Sequence, residues 1–296
     1  MDGLQIVRVA VIGSSFLPHI ISLSLLVTST NLKQVRFQKL VLSLSISDTL
    51  SLAELLIVII LQELSSENTS YIPPCKSLTR FTLGTFVFSL YQCVLICLER
   101  LHATFASENA FYQNLTSNKG IVVAFLIFHC VAILHVILDL TTQDNTNGCS
   151  AITFTDTLML ILVDIPMVCI YLLMAAVYSV VMVRVMRRTE IKSQNSVQST
   201  NSSLKLQTIV TLTITTALSL LANIPRSVVA FYSLIFVPSE SDVSWMTRCN
   251  SMILLNFLLD PFIYVFCIKD FRQRLKALFC KTPINVRPIE QQREGL

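Results

Sequence analysis

Residues 81–101 read FTLGTFVFSLYQCVLICLERL: eighteen residues without a charge, then Glu99-Arg100. A helix rises 1.5 Å per residue, so the uncharged stretch is about 27 Å long, close to the thickness of a bilayer's hydrocarbon core. The stretch is one of several. Uncharged runs also cover 9–32, 120–138, 165–183 and 206–225, and segments 40–62 and 249–268 are equally apolar apart from acidic residues. Seven spans follow. The sequence therefore predicts an all-α membrane protein, a seven-transmembrane helix bundle that forms a single domain over 1–296.

Composition agrees. Of the 296 residues, 53% are hydrophobic and 14% charged, where a soluble chain carries about 25% charged residues. The first run is longer than a signal-peptide core and lacks a small-x-small cleavage site, so it reads as the first helix. The helices are expected at about 5–28, 39–62, 75–103, 120–140, 156–188, 204–236 and 243–267. Pro73-Pro74 marks the start of the third and Pro238 the end of the sixth. The segment TEIKSQNSVQSTNSS (189–203) reads as a polar loop. Beyond the seventh helix, KDFRQRLKALFC (269–280) sets Phe271, Leu275, Leu278 and Phe279 on one face, as in an amphipathic helix lying on the inner leaflet. A tail, 281–296, follows it. Cys280 is either a palmitoylation site or a plain thiol.

Orientation follows from Lys and Arg in the short loops. One side takes Lys33, Arg36, Lys39, Arg100, Lys119, Arg184, Arg187, Arg188, Lys192, Lys205 and seven more from Lys269 to Arg293, which is 17 of the 22 basic residues. That side is cytoplasmic, so the amino terminus is outside and the carboxyl terminus inside, as in a multi-pass plasma-membrane protein. The net charge of +4 is mostly this asymmetry and implies no nucleic-acid partner. Cys75 and Cys149 fall just outside the membrane, where oxidising conditions permit a disulfide between them. Asn68 heads a glycosylation sequon on the same face.

Ionisable residues inside a membrane are costly and point to function. Asp48 sits mid-span in the second helix and Asp260 in the seventh, beside a proline that frees a backbone carbonyl one turn back. Ser89 lies mid-span in the third helix, and Asn256 one turn before Asp260. Convergence of these four makes an oxygen-lined cavity for water with a sodium ion, for a shared proton, or for water alone.

These residues resemble the rhodopsin-like (class A) G protein-coupled receptors, over about 5–280. Glu99-Arg100-Leu101 is similar to the Asp/Glu-Arg-Tyr motif, and Cys75 precedes Arg100 by 25 positions, the family's interval. LSLSISD resembles the second-helix aspartate motif, DPFIY (Asp260 to Tyr264) the Asn/Asp-Pro-x-x-Tyr motif, and Pro166 and Pro225 the fifth- and sixth-helix prolines. The chain also departs from the pattern. Asn223 stands in place of the sixth-helix tryptophan, the first helix lacks its asparagine, Met174 replaces a tyrosine, and Lys205 occupies the place of an acid that pairs with the third-helix arginine.

The resemblance implies a receptor that passes the binding of an extracellular ligand, a small molecule or short peptide, to a heterotrimeric G protein through movement of the sixth helix. Glu99, Arg100, Leu101, Tyr264 and Lys205 would face the G protein, with Glu99 left to restrain Arg100. The ligand pocket would be lined by Thr82, Phe86, Leu158, Leu162, Arg226, Ser227, Ala230, Asn250 and Leu254. Thr82 stands where amine receptors carry an aspartate and Leu254 where opsins carry a lysine, which argues against both ligands. Arg226 would contact the ligand or pair with Glu54 or Asp164. Serines and threonines from Ser193 to Ser203 are sites for receptor kinases and arrestin. The alternative is a transporter or channel, but no repeat or glycine-broken helix pair is present. No catalytic motif is present either, so no enzyme is expected.

Overall fold

The computed structural model describes residues 3–28, 36–102, 105, 110–142, 149, 164–193 and 257–261, with single positions between 217 and 236. Its elements are α1 (Gly3–Val27), α2 (Arg36–Glu67), a 3-10 turn (Thr69–Tyr71), α3 (Ile72–His102), a short α4 (Ala110–Leu115), α5 (Asn118–Thr142) and α6 (Ile165–Ser193). Among the described residues there is no strand. Lipid offers no hydrogen bonds, so a spanning segment has to satisfy its backbone internally, as a helix does.

Among the described residues five helices are long and apolar enough to cross a membrane, at Val9–Val27, Arg36–Ser66, Thr69–His102, Asn118–Leu138 and Ile165–Arg184. They carry the first five expected spans. The described positions of 217–232 are helical, as are 257–261, within the sixth and seventh. The expected amphipathic helix at 269–280 and the tail lie outside the described residues.

Boundaries differ from expectation where polar residues extend a helix into water. α2 reaches Glu67 rather than stopping near 62, because LQELSSE is made of residues that tolerate helix. α6 runs through Ser193 into the segment expected as loop; the part expected before Asp164 is outside the described residues. The connection from α3 to α5 contains a helix, α4, that the sequence did not signal. Ser117 caps the next helix, its Oγ accepting from the Gly120 amide at 3.1 Å. A Cβ on Gly120 would collide with the Asn114 and Leu115 carbonyls, so this tight junction needs glycine.

α3 is the central post. It packs against α2, α5 and α6, while α1 leans on α2. In α3's most apolar stretch 83% of residues are buried inside the protein, against 22% in α5. The rest of α5 is an apolar face, with Val122, Leu126, Ile133 and Ile137 all exposed, as suits a helix turned to lipid chains. α3 meets α5 closely because residue 84 is glycine: a Cβ there would lie 2.8 Å from the Ala132 Cβ. Small residues at helix crossings give such proximity in membranes. Cys75, in the first turn of α3, is disulfide-bonded to Cys149, with Cα atoms 6.2 Å apart.

Candidate functional site

Polar side chains form a seam between α2 and α3 through the bundle. Thr85 Oγ1 lies 3.1 Å from Glu54 Oε1, while Thr82 Oγ1 donates within its own helix, to the Leu78 carbonyl at 2.9 Å. Ser89 Oγ donates to Asp48 Oδ1 at 2.5 Å. Ser47 Oγ donates to Gln92 Oε1 and Gln92 Nε2 to Ser43 Oγ, both at 2.6 Å. The Arg100 guanidinium then lies 3.5 Å over the centre of the Phe37 ring. Partner numbers fall along α2 as they rise along α3, as antiparallel neighbours require. Thr85, Ser89 and Gln92 stand at i, i+4 and i+7, which is one face of a helix.

The seam's centre holds the expected polar core. Asp48 and Ser89 are bonded as above, and Asp48 also hydrogen bonds to Asp260 of the seventh span. Two carboxyl groups in that contact need a proton or a cation between them. Asp48 Oδ2 has no donor. Two carboxyls and a hydroxyl are oxygen ligands that suit a hard cation, so the residues fit a sodium ion. Asn256 lies outside the described residues.

At the Arg100 end of the seam the guanidinium meets an aromatic ring. No hydrogen bond or ion pair joins Arg100 to Glu99 among the described residues; the neighbour acts through its field alone. Arg100 Nε has no acceptor, and what covers the cation is Phe37. Leu101 is buried behind it. A second cation stacks nearby, Arg184 of α6 over Phe105 at 3.9 Å. Tyr264, Lys205 and Cys280 lie outside the described residues.

A further tie was not foreseen. His19, 1% exposed in α1, donates from Nε2 to the Phe257 carbonyl at 2.6 Å. That carbonyl lies four residues before Pro261, which has no N–H to give it. The ring of His19 thus supplies the missing donor and ties α1 to the helical segment 257–261. A polar residue beside Pro18 in an apolar helix was the available signal.

Of the expected ligand pocket, Thr82, Phe86 and Ser227 are described and buried. Phe86 meets Phe257 edge-on, with ring centres 5.8 Å apart, which joins the third span to the seventh. Leu158, Leu162, Arg226, Ala230, Asn250 and Leu254 lie outside the described residues. Asn68 is exposed in the turn between α2 and α3, where its side chain caps the 3-10 turn by accepting from the Ser70 amide.

A buried polar seam, a disulfide at one end of α3 and an arginine near the other are carried on helices long and apolar enough to cross a membrane. Residues 65–255 match the family model for the pheromone A receptor (STE3), which is 191 of the 296 residues. The chain belongs to that family of G protein-coupled receptors. The family is not the rhodopsin-like one that the short motifs resemble, so the class A assignment is corrected. The matched stretch takes in α3, α5 and α6 but stops short of Asp48 and Asp260 at either end. No curated protein matches the chain.

Proposed function

We propose that the chain is a multi-pass plasma-membrane receptor for an extracellular pheromone, a short peptide or small molecule, and that it signals to a heterotrimeric G protein. The observation that carries this reading is the family match over 65–255. Membership of a pheromone receptor family supports the ligand class. The basic-residue asymmetry places the amino terminus outside and the carboxyl terminus inside, and the disulfide at Cys75 supports an oxidising exterior at that end of α3.

In the resting state Phe37 covers Arg100. Ligand binding between the outer halves of the helices favours a second arrangement in which the sixth helix swings about Pro225 and Arg100 is uncovered for the G protein. The ligand shifts this equilibrium only by binding the second arrangement more tightly. Asp48, Ser89 and Asp260 would hold a sodium ion at the seam's centre, and its charge would replace the proton the two carboxyls otherwise share. Receptor kinases and arrestin would act on the serines and threonines from Ser193 onward.

The test needs no ligand. Wild-type receptor in cells with a broad G-protein reporter should signal above empty vector, and Arg100→Ala should return that signal to the vector level at equal surface expression. Full signalling by Arg100→Ala would overturn the proposal.

A further inference from the structure

Outward of the Asp48 core the seam contains a second buried acid, Glu54, whose situation is different. Glu54 is 5% exposed. Two side chains position it: the Thr85 hydroxyl lies 3.1 Å from Oε1, and His129 of α5 braces Thr85, with Nε2 3.2 Å from Oγ1. His129 is fixed in turn. Its Nδ1 donates to the Phe125 carbonyl at 2.8 Å, and its ring lies against Phe81 and Phe125, with centres 4.8 and 3.8 Å away.

The second oxygen, Oε2, is buried and has no hydrogen-bond partner. Lys76 and Arg80 are also buried on α3, outward of Thr82, but neither forms an ion pair with Glu54. A carboxylate removed from water with one oxygen unmet is among the costliest arrangements a protein holds. Here the framework around it is fully built and one partner is lacking. Asp48 meets a second carboxyl from the seventh span; Glu54 meets none.

We propose that Glu54 anchors a positively charged nitrogen, an ammonium or guanidinium, on the extracellular ligand. A cation supplies at once the donor that Oε2 lacks and the counter-charge that burial demands. A guanidinium or amidinium satisfies both carboxylate oxygens with two parallel N–H bonds. Glu54 lies six positions outward of Asp48 on α2, about 9 Å at helical rise, and Thr82, one turn along α3 from its partner Thr85, belongs to the expected pocket. The absence of an acid at position 82 therefore does not exclude cationic ligands, because α2 presents the acid to the same place. This inference rests on the receptor reading and adds the ligand's chemistry to it.

Benzamidinium and benzamide share shape and differ in charge, and they serve as the probes. Each is added to full-length receptor in lipid nanodiscs at equal ionic strength, and the melting temperature is followed. Benzamidinium should raise it by about 2–4 °C at saturation, benzamide should leave it unmoved, and Glu54→Gln should abolish the benzamidinium shift. Where Glu54→Gln does not fold, Glu54→Asp retreats by one methylene and should bind at least about fivefold more weakly, the loss expected when a bidentate contact is broken. An equal shift with benzamide, an undiminished shift in the variants, or no shift in the wild type overturns the proposal. The receptor reading is judged apart from this, by whether ligand-independent signalling depends on Arg100.

Discussion

Arg100 is where a single residue decides the most. A guanidinium centred 3.5 Å above the Phe37 ring is an attraction of roughly 1–2 kcal/mol once desolvated, and each 1.4 kcal/mol is a factor of ten in a two-state ratio. Phe37→Leu keeps the bulk and loses the ring, so ligand-independent signalling should rise about fivefold to twenty-fivefold at matched surface expression, while Phe37→Tyr should stay near wild type. A G-protein reporter reads this directly, and a silent Phe37→Leu would mean the ring does not restrain Arg100. The residue was out of reach in the sequence. Phe37 is separated from Arg100 by 63 positions, and nothing local marks which of the chain's 17 phenylalanines an arginine will stack on. Glu99 was the natural choice because it is adjacent, yet adjacent helical residues point about 100° apart and do not face each other.

At the scale of elements, legibility divides along a physical line. Spans were readable because hydrocarbon thickness fixes their length, and α1, α2, α3, α5 and α6 fall on the expected runs. Contacts between spans depend on how each helix is rotated about its axis, which an all-apolar run does not specify. Asp48, Ser89 and Asp260 were nonetheless legible as partners, since few polar groups are available at mid-membrane and each has to find another. Gln92 and His19 were not, being ordinary polar residues without a motif. His19 carries its own prediction. His19→Leu leaves the Phe257 carbonyl buried without a donor, which costs about 1–3 kcal/mol, and the purified receptor should melt correspondingly lower. His19→Asn keeps an N–H in reach and should recover at least part of the loss. Equal melting of His19→Leu and wild type would show that the α1 tie is dispensable.

Over the whole molecule, the receptor class was legible and the family was not. Short motifs such as Glu-Arg-Leu and Asp-Pro-Phe-Ile-Tyr resembled the rhodopsin-like receptors, whereas the match over 65–255 is to the pheromone A receptor family. A few residues at fixed spacing report that helices of a certain length meet, a demand that any such bundle makes. The outer disulfide acts at this scale too, since it closes a loop over 74 positions. Loops of that length give roughly 4 kcal/mol on loop-closure grounds, so Cys149→Ser should cut surface delivery sharply, as flow cytometry of an amino-terminal tag would show. Surface levels equal to wild type would argue that the bridge is incidental.

The tightness of two contacts bears on how such a bundle can work as a machine. Gly84 leaves no room for even a methyl group between α3 and α5, and four successive polar links hold α2 to α3. Sliding either pair past the other would break several bonds or drive atoms together. These three helices therefore form a stator, a fixed frame against which ligand-driven displacement is measured. The rotor has to be sought among the spans that join this frame by fewer fastenings.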